Sequence, residues 1–106
     1  MIISTTESIN DMEIVQTIGL ISANSIRARH VGRDIMAGFR NLVGGEVLEY
    51  SRLLSDSREE AVRRLERKAS SVGANAIVGM RFMTSMVMGG AAEILAYGTA
   101  VVVRGK

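Results

Sequence analysis

Alternating apolar positions predict three strands along this chain, at residues 13–22, 76–86 and 92–103, with a possible short strand at residues 2–5. The last strand is apolar on both faces: Ile94, Ala96, Ala100 and Val102 share one face, and Leu95, Tyr97, Val101 and Val103 share the other. Gly89-Gly90 separates the last two strands, and a short glycine connection between apolar runs predicts a β-hairpin.

Apolar residues at three-to-four spacing predict two helices between the first and second strands. The first covers residues 32–43, and Gly44-Gly45 ends it. The second covers residues 46–72, ends at Gly73, and carries the stripe Val47, Tyr50, Leu54, Arg58, Ala61, Leu65, Ala69 and Val72. Asp56 and Glu59 resemble a capping box, so the pattern leaves open whether this helix is continuous or restarts near residue 56.

This order of elements predicts an α+β fold of two layers, β-α-α-β-β, in which helices cover one face of an antiparallel sheet. The 106 residues are expected to form a single domain, residues 1–106. The second sheet face is also apolar, and no further helix remains to cover it. We therefore expect another copy of the chain to cover it, in a homo-oligomeric ring.

The composition agrees with a self-associating chain, since 47% of its residues are hydrophobic while only 4% are aromatic. The net charge is only +2, and no aromatic residues interleave with the basic ones, so we expect no nucleic-acid partner. The apolar stretch 86–103 contains Glu93 and three glycines, so we interpret it as a buried strand rather than a membrane span. The absence of cysteine and of a signal sequence favours a cytoplasmic location.

The densest basic run consists of Arg27, Arg29, His30 and Arg33. It precedes the first predicted helix, whose amino end favours anions, so Arg27, Arg29 and Arg33 are candidate ligands for a phosphate group. The alternative is a solvated loop whose arginines pair with acidic residues of a neighbouring subunit. Glu93 is the one acid in the last strand, where it lines an axial pore or, as we favour, pairs with Arg81 across the hairpin.

His30 and Asp34 stand four residues apart and form the candidate site for a divalent metal. Copies of His30 could converge in a ring and build a site that one subunit lacks. Met80, Met83, Met86 and Met88 offer soft thioether ligands for Cu(I), although packing is the favoured role. We expect no cofactor and no enzymatic activity, because no nucleophile motif accompanies the single histidine.

Residues 31–46, 73–82 and 91–103 together resemble the YbjQ-like family, described as heavy-metal-binding domains, and the resemblance extends over essentially the whole chain. It implies a dodecin-like β-α-β-β subunit and a ring, a homopentamer or stacked rings, with no catalytic residue. The function expected is a non-catalytic oligomeric module that binds a small ligand or acts as a scaffold. The alternative is binding or sequestration of a heavy metal at sites within or between subunits.

Overall fold

The computed structural model describes residues 1–28, 45–86 and 91–106, with side chains for residues 1–26, 51–86 and 91–106. The elements are β1 (Ile2–Ile3), β2 (Met12–Ala28), α1 (Gly45–Ser71), β3 (Ala76–Met86) and β4 (Ala91–Gly105). The helix predicted at residues 32–43 lies outside the described residues. The α+β class is confirmed, with one helix in the described part of the chain.

The four strands form one mixed sheet in the order β1-β3-β4-β2. β4 runs antiparallel to both of its neighbours, whereas β1 runs parallel to β3. The prediction of a purely antiparallel sheet is therefore wrong at β1, a strand of two residues that is too short for its sequence to indicate a direction. The residues that follow β1 continue along β3. The amide of Met80 donates to the carbonyl of Ser4 at 3.0 Å, and the amide of Gly79 donates to the carbonyl of Thr6 at 2.9 Å.

The strand boundaries match the prediction at β3 and differ most at β2. The sequence predicts that the first long strand ends at Ser22, but β2 continues to Ala28 through a polar stretch. It continues because β4 supplies an ordered partner over this length, from Ala96 opposite Ala23 to Ala91 opposite Ala28. The predicted hairpin is confirmed, since Met86 lies opposite Ala92, while the connection at residues 87–90 lies outside the described residues.

α1 is one continuous helix of 27 residues, so it does not restart near residue 56. Ser57 is buried against the sheet rather than acting in a cap, and its hydroxyl lies 3.2 Å from the hydroxyl of Ser25 on β2. Arg58, which the predicted stripe places on the buried side, is exposed instead. Gly73, with a φ of 87°, ends the helix as predicted, because glycine adopts positive φ without steric strain.

Two apolar clusters lie on opposite faces of the sheet. On the helix side, Ala61, Leu65 and Ala69 pack against strand residues that include Ile77, Ile94, Ala96 and Ala100. On the other side, Ile9 and Met12 pack against Ala76, Val78, Val101 and Val103. The turn that precedes β2 therefore covers one end of the second face, where the sequence predicts a copy of the chain.

A β-bulge at Gly79 changes which face the middle of β3 presents. Val78 lies opposite Thr99 and Arg81 opposite Tyr97, so β3 carries one extra residue, and Gly79 has a φ of 61°. Met80 therefore packs on the helix side with Ile77, whereas strict alternation predicts that it shares the face of Val78. The register between β2 and β4 also shifts between Thr17 and Gly19.

Gly98 faces this bulge, and the close approach leads to a stability prediction. A Cβ atom at Gly98 would lie 2.9 Å from Cγ2 of Ile77 and 3.1 Å from the carbonyl oxygen of Val78. We expect Gly98→Ala to lower the free energy of unfolding by about 1–3 kcal/mol, because backbone must move to relieve the overlap. Urea denaturation measures the change.

The matched control is Gly105→Ala, since a Cβ at Gly105 meets no atom within 4 Å. We expect this control to stay within about 0.5 kcal/mol of the parent protein. Equal stability of the two variants would show that the β3–β4 contact at Gly98 is not tight.

Candidate functional site

Most of the predicted ligand-binding residues lie where the structure does not describe side chains. Arg27 is in β2, opposite Ala92, but its side chain lies outside the described part. Arg29, His30, Arg33 and Asp34 lie wholly outside the described residues, so the predicted anion and metal sites there stay predictions.

Glu93 is half-buried on β4, on the face of the sheet opposite the helix. The amide nitrogen Nδ2 of Asn24 on β2 donates to its Oε2 at 3.3 Å. Its neighbour on β3 is Ser85, whereas Arg81 lies opposite Tyr97 and donates to the carbonyl of Thr5 at 2.9 Å. The favoured Arg81–Glu93 pair is therefore wrong: the register separates the two residues by four positions along the strand.

The sheet face around Glu93 has functional potential, and we refer to it as the open face. It consists of Leu20, Ser22, Asn24 and Ile26 of β2, Arg81, Met83 and Ser85 of β3, and Glu93, Leu95 and Tyr97 of β4. Leu20 is 78% exposed, Ile26 60% and Met83 55%. Large apolar side chains grouped on one surface mark an interaction site more often than isolated ones do.

The outer edge of β2 borders the open face and is occupied by side chains of α1. Nζ of Lys68 donates to the carbonyl of Ser22 at 2.6 Å, and a guanidinium nitrogen of Arg64 donates to the carbonyl of Asn24 at 2.7 Å. Arg64 also forms an ion pair with Glu60, which precedes it by four residues on the helix. Both basic residues thereby satisfy carbonyl groups that another strand could otherwise use, which is a common way to protect a sheet edge.

The sequence pattern did not predict this role for Arg64 and Lys68. Their spacing of four residues places them on one side of the helix, next to the buried Leu65. That spacing indicates that the two side chains reach the same neighbouring element, but it does not reveal which strand lies beside them.

The described residues do not fit a heavy-metal centre. They contain no group of three or more His, Cys, Asp or Glu side chains that could hold a metal ion. Met80 and Met83 also lie on opposite faces of the sheet, so these two thioethers do not converge on one ion. Among the described residues, no helix is both long enough and apolar enough to span a bilayer.

Comparison with known proteins identifies the family. A family model, YbjQ_1, described as "Putative heavy-metal-binding", matches residues 1–104. The chain belongs to this YbjQ family. The resemblance seen in residues 31–46, 73–82 and 91–103 is thereby confirmed.

Relatives of this YbjQ chain are similar over nearly their full length. A UPF0145 protein of Methanosarcina acetivorans is 55% identical over 95% of each chain. One from Dehalococcoides mccartyi is 50% identical over 97% of this chain and 99% of its own. One from Archaeoglobus fulgidus is 50% identical over 98% of this chain and 96% of its own.

A solved structure supports the fold of the YbjQ chain. It is a DUF74-family protein from Pediococcus pentosaceus, with a TM-score of 0.63 and 22% sequence identity over 98% of each chain. At this identity the similarity shows the fold alone. It agrees with an α+β chain that has one mixed sheet.

The protected edge of β2 leads to a prediction. We expect the double variant Arg64→Gln with Lys68→Gln to lower the free energy of unfolding by about 1 kcal/mol, because two partly exposed charge-assisted hydrogen bonds are weakened. Arg67→Gln is the matched control, since Arg67 is an exposed residue of the same helix. Chemical denaturation of the three proteins would contradict the assignment if the double variant were as stable as the control.

Proposed function

We propose that this protein is a non-catalytic module that assembles with copies of itself through the open face and binds a small ligand or acts as a scaffold. The observation that carries the proposal is the exposure of Leu20, Ile26 and Met83 on one sheet face. Burying such side chains stabilises a contact by about 25 cal/mol for each Å² of apolar surface removed from water. A contact between copies would supply that burial.

The charges of the open face support a second copy as its occupant. The face carries a basic residue, Arg81 on β3, and an acidic residue, Glu93 on β4. The two residues lie four positions apart along the strands. A surface with both signs of charge can be complementary to another copy of itself. A uniformly charged face would repel its own copy.

The sheet edges also favour contact through the face. Arg64 and Lys68 occupy carbonyls on the outer edge of β2, and the segment from Ile2 to Thr6 lies along β3 as far as Met80. Extension of the sheet along these stretches of β2 and β3 would have to displace these contacts. Face-to-face packing leaves them in place.

The ring is the closed arrangement that the family resemblance implies, with five subunits or stacked rings. The sequence supports a non-catalytic role, because the single histidine has no motif partner and cysteine is absent. A cytoplasmic location fits the cysteine-free composition. Arg27, Arg29, Arg33 and Glu93 remain candidate ligand contacts.

The assembly is tested by native mass spectrometry and light scattering on untagged protein. We expect the parent protein to have the mass of five chains or a multiple of it. Leu20→Asp combined with Met83→Asp should release folded monomers, because two charges would be buried at the contact.

Val72→Asp is the control, since Val72 is an exposed apolar residue near the helix end and outside the open face. It should keep the mass of the parent assembly. A monomeric parent protein, or a double variant that keeps the native mass, would contradict assembly through the open face.

Metal binding is a second candidate function, and the description of the family is the observation that favours it. Its candidate residues are His30 and Asp34. If the chain binds a metal there, protein purified without chelator should retain Zn²⁺, Ni²⁺ or Cu⁺, and His30→Ala should lose it. Elemental analysis gives the ratio of metal to chain, and an unchanged ratio in His30→Ala would exclude this site.

A further inference from the structure

A groove separates α1 from the second half of β3. The helix packs mainly on β2 and β4 and barely contacts β3. Among the described residues, this leaves an open groove with a volume of about 350 Å³, which we name the Phe82 groove. It is lined by Arg58, Glu59, Val62, Arg63 and Phe82. This volume is at the lower end of the range that small-molecule sites occupy, about 300–1,000 Å³.

The walls of the Phe82 groove are apolar. Val62 is half-buried and packs against the helix-side cluster. Phe82 lies opposite Ala96, so its ring projects to the helix side of the sheet, where it is 42% exposed. An aromatic ring and an aliphatic side chain facing one cavity suit the apolar body of a ligand.

The rim of the groove carries more positive than negative charge. Arg58 and Arg63 each carry a positive charge and Glu59 a negative one, and all three residues line the groove. Neither arginine forms an ion pair within the described residues, and the neighbouring Glu60 pairs with Arg64. Both arginines that line this apolar groove are therefore available to an anion.

We propose that the Phe82 groove binds a small organic monoanion, a carboxylate attached to an aromatic or aliphatic body. Guanidinium groups match the planar geometry of a carboxylate and can bind it through two parallel hydrogen bonds. Phe82 and Val62 take up the apolar body. Glu59 opposes further negative charge, so polyanions bind less well. This site rests on the proposed function, because it specifies the ligand class of the module.

Phenylacetate is a suitable probe, and methyl-labelled valine reports on it by NMR. We expect phenylacetate to shift the Val62 methyl signals saturably, with a dissociation constant of about 1 mM or tighter. Phenylacetamide, which has the same shape without the charge, should bind at least about tenfold more weakly, as should trivalent citrate.

Two variants and one control assign the binding to the groove. Arg58→Gln with Arg63→Gln should weaken phenylacetate binding by about tenfold or more, and Phe82→Ala should do the same. Arg67→Gln, on the same helix but outside the groove, should bind as the parent protein does. Circular dichroism and native mass confirm, before titration, that each variant is folded and has the same oligomeric state as the parent protein.

The proposal is overturned if phenylacetate gives no saturable shift at Val62, if phenylacetamide binds equally well, or if the double arginine variant binds as tightly as the Arg67 control. Failure of the groove differs from failure of the proposed function. If phenylacetate does not bind and the protein keeps the mass of the assembly, only the proposed ligand site in the groove is rejected. A monomeric parent protein that binds phenylacetate rejects the assembly and leaves the groove supported.

Discussion

The described structure depends on one constraint: a single helix is too narrow to cover a sheet of four strands. A helix is about 10 Å across, and neighbouring strands lie about 4.8 Å apart, so a single helix covers about two strands. α1 covers β2 and β4, with Ala61, Leu65 and Ala69 at the contact. Within the described residues, β3 is left partly uncovered on the helix side, and much of the other face stays open.

The open face and the Phe82 groove both follow from this limited coverage. On the sheet face opposite the helix, Ile9 and Met12 cover the end near Val101 and Val103. On the helix side, Phe82 borders a cavity instead of packing under α1. The two surfaces differ in chemistry: the first is broad and carries charges of both signs, which suits another copy, whereas the second is small and arginine-rimmed, which suits a small anion.

The fold could be predicted from sequence wherever apolar residues kept a regular spacing along a strand or helix. β3, the hairpin, the continuous length of α1 and both faces of β4 follow the predicted pattern. The pattern failed at Met80, because the bulge at Gly79 shifts the alternation by one residue. It failed again for Arg81 and Glu93, because a period of two residues does not show which residues of neighbouring strands lie opposite one another. The candidate anion and metal residues in 29–34 stay predictions.

The sequence by itself determined the family, the α+β class and the existence of two apolar sheet faces, because periods of two and of about 3.6 residues record local backbone geometry. The tertiary structure decided which face each side chain near a bulge occupies, that β1 runs parallel to β3, and that Arg64 and Lys68 protect the edge of β2. It also placed Arg58 and Arg63 beside Phe82. These features join residues far apart in the chain, and their contacts depend on how helix and strands pack rather than on any local period.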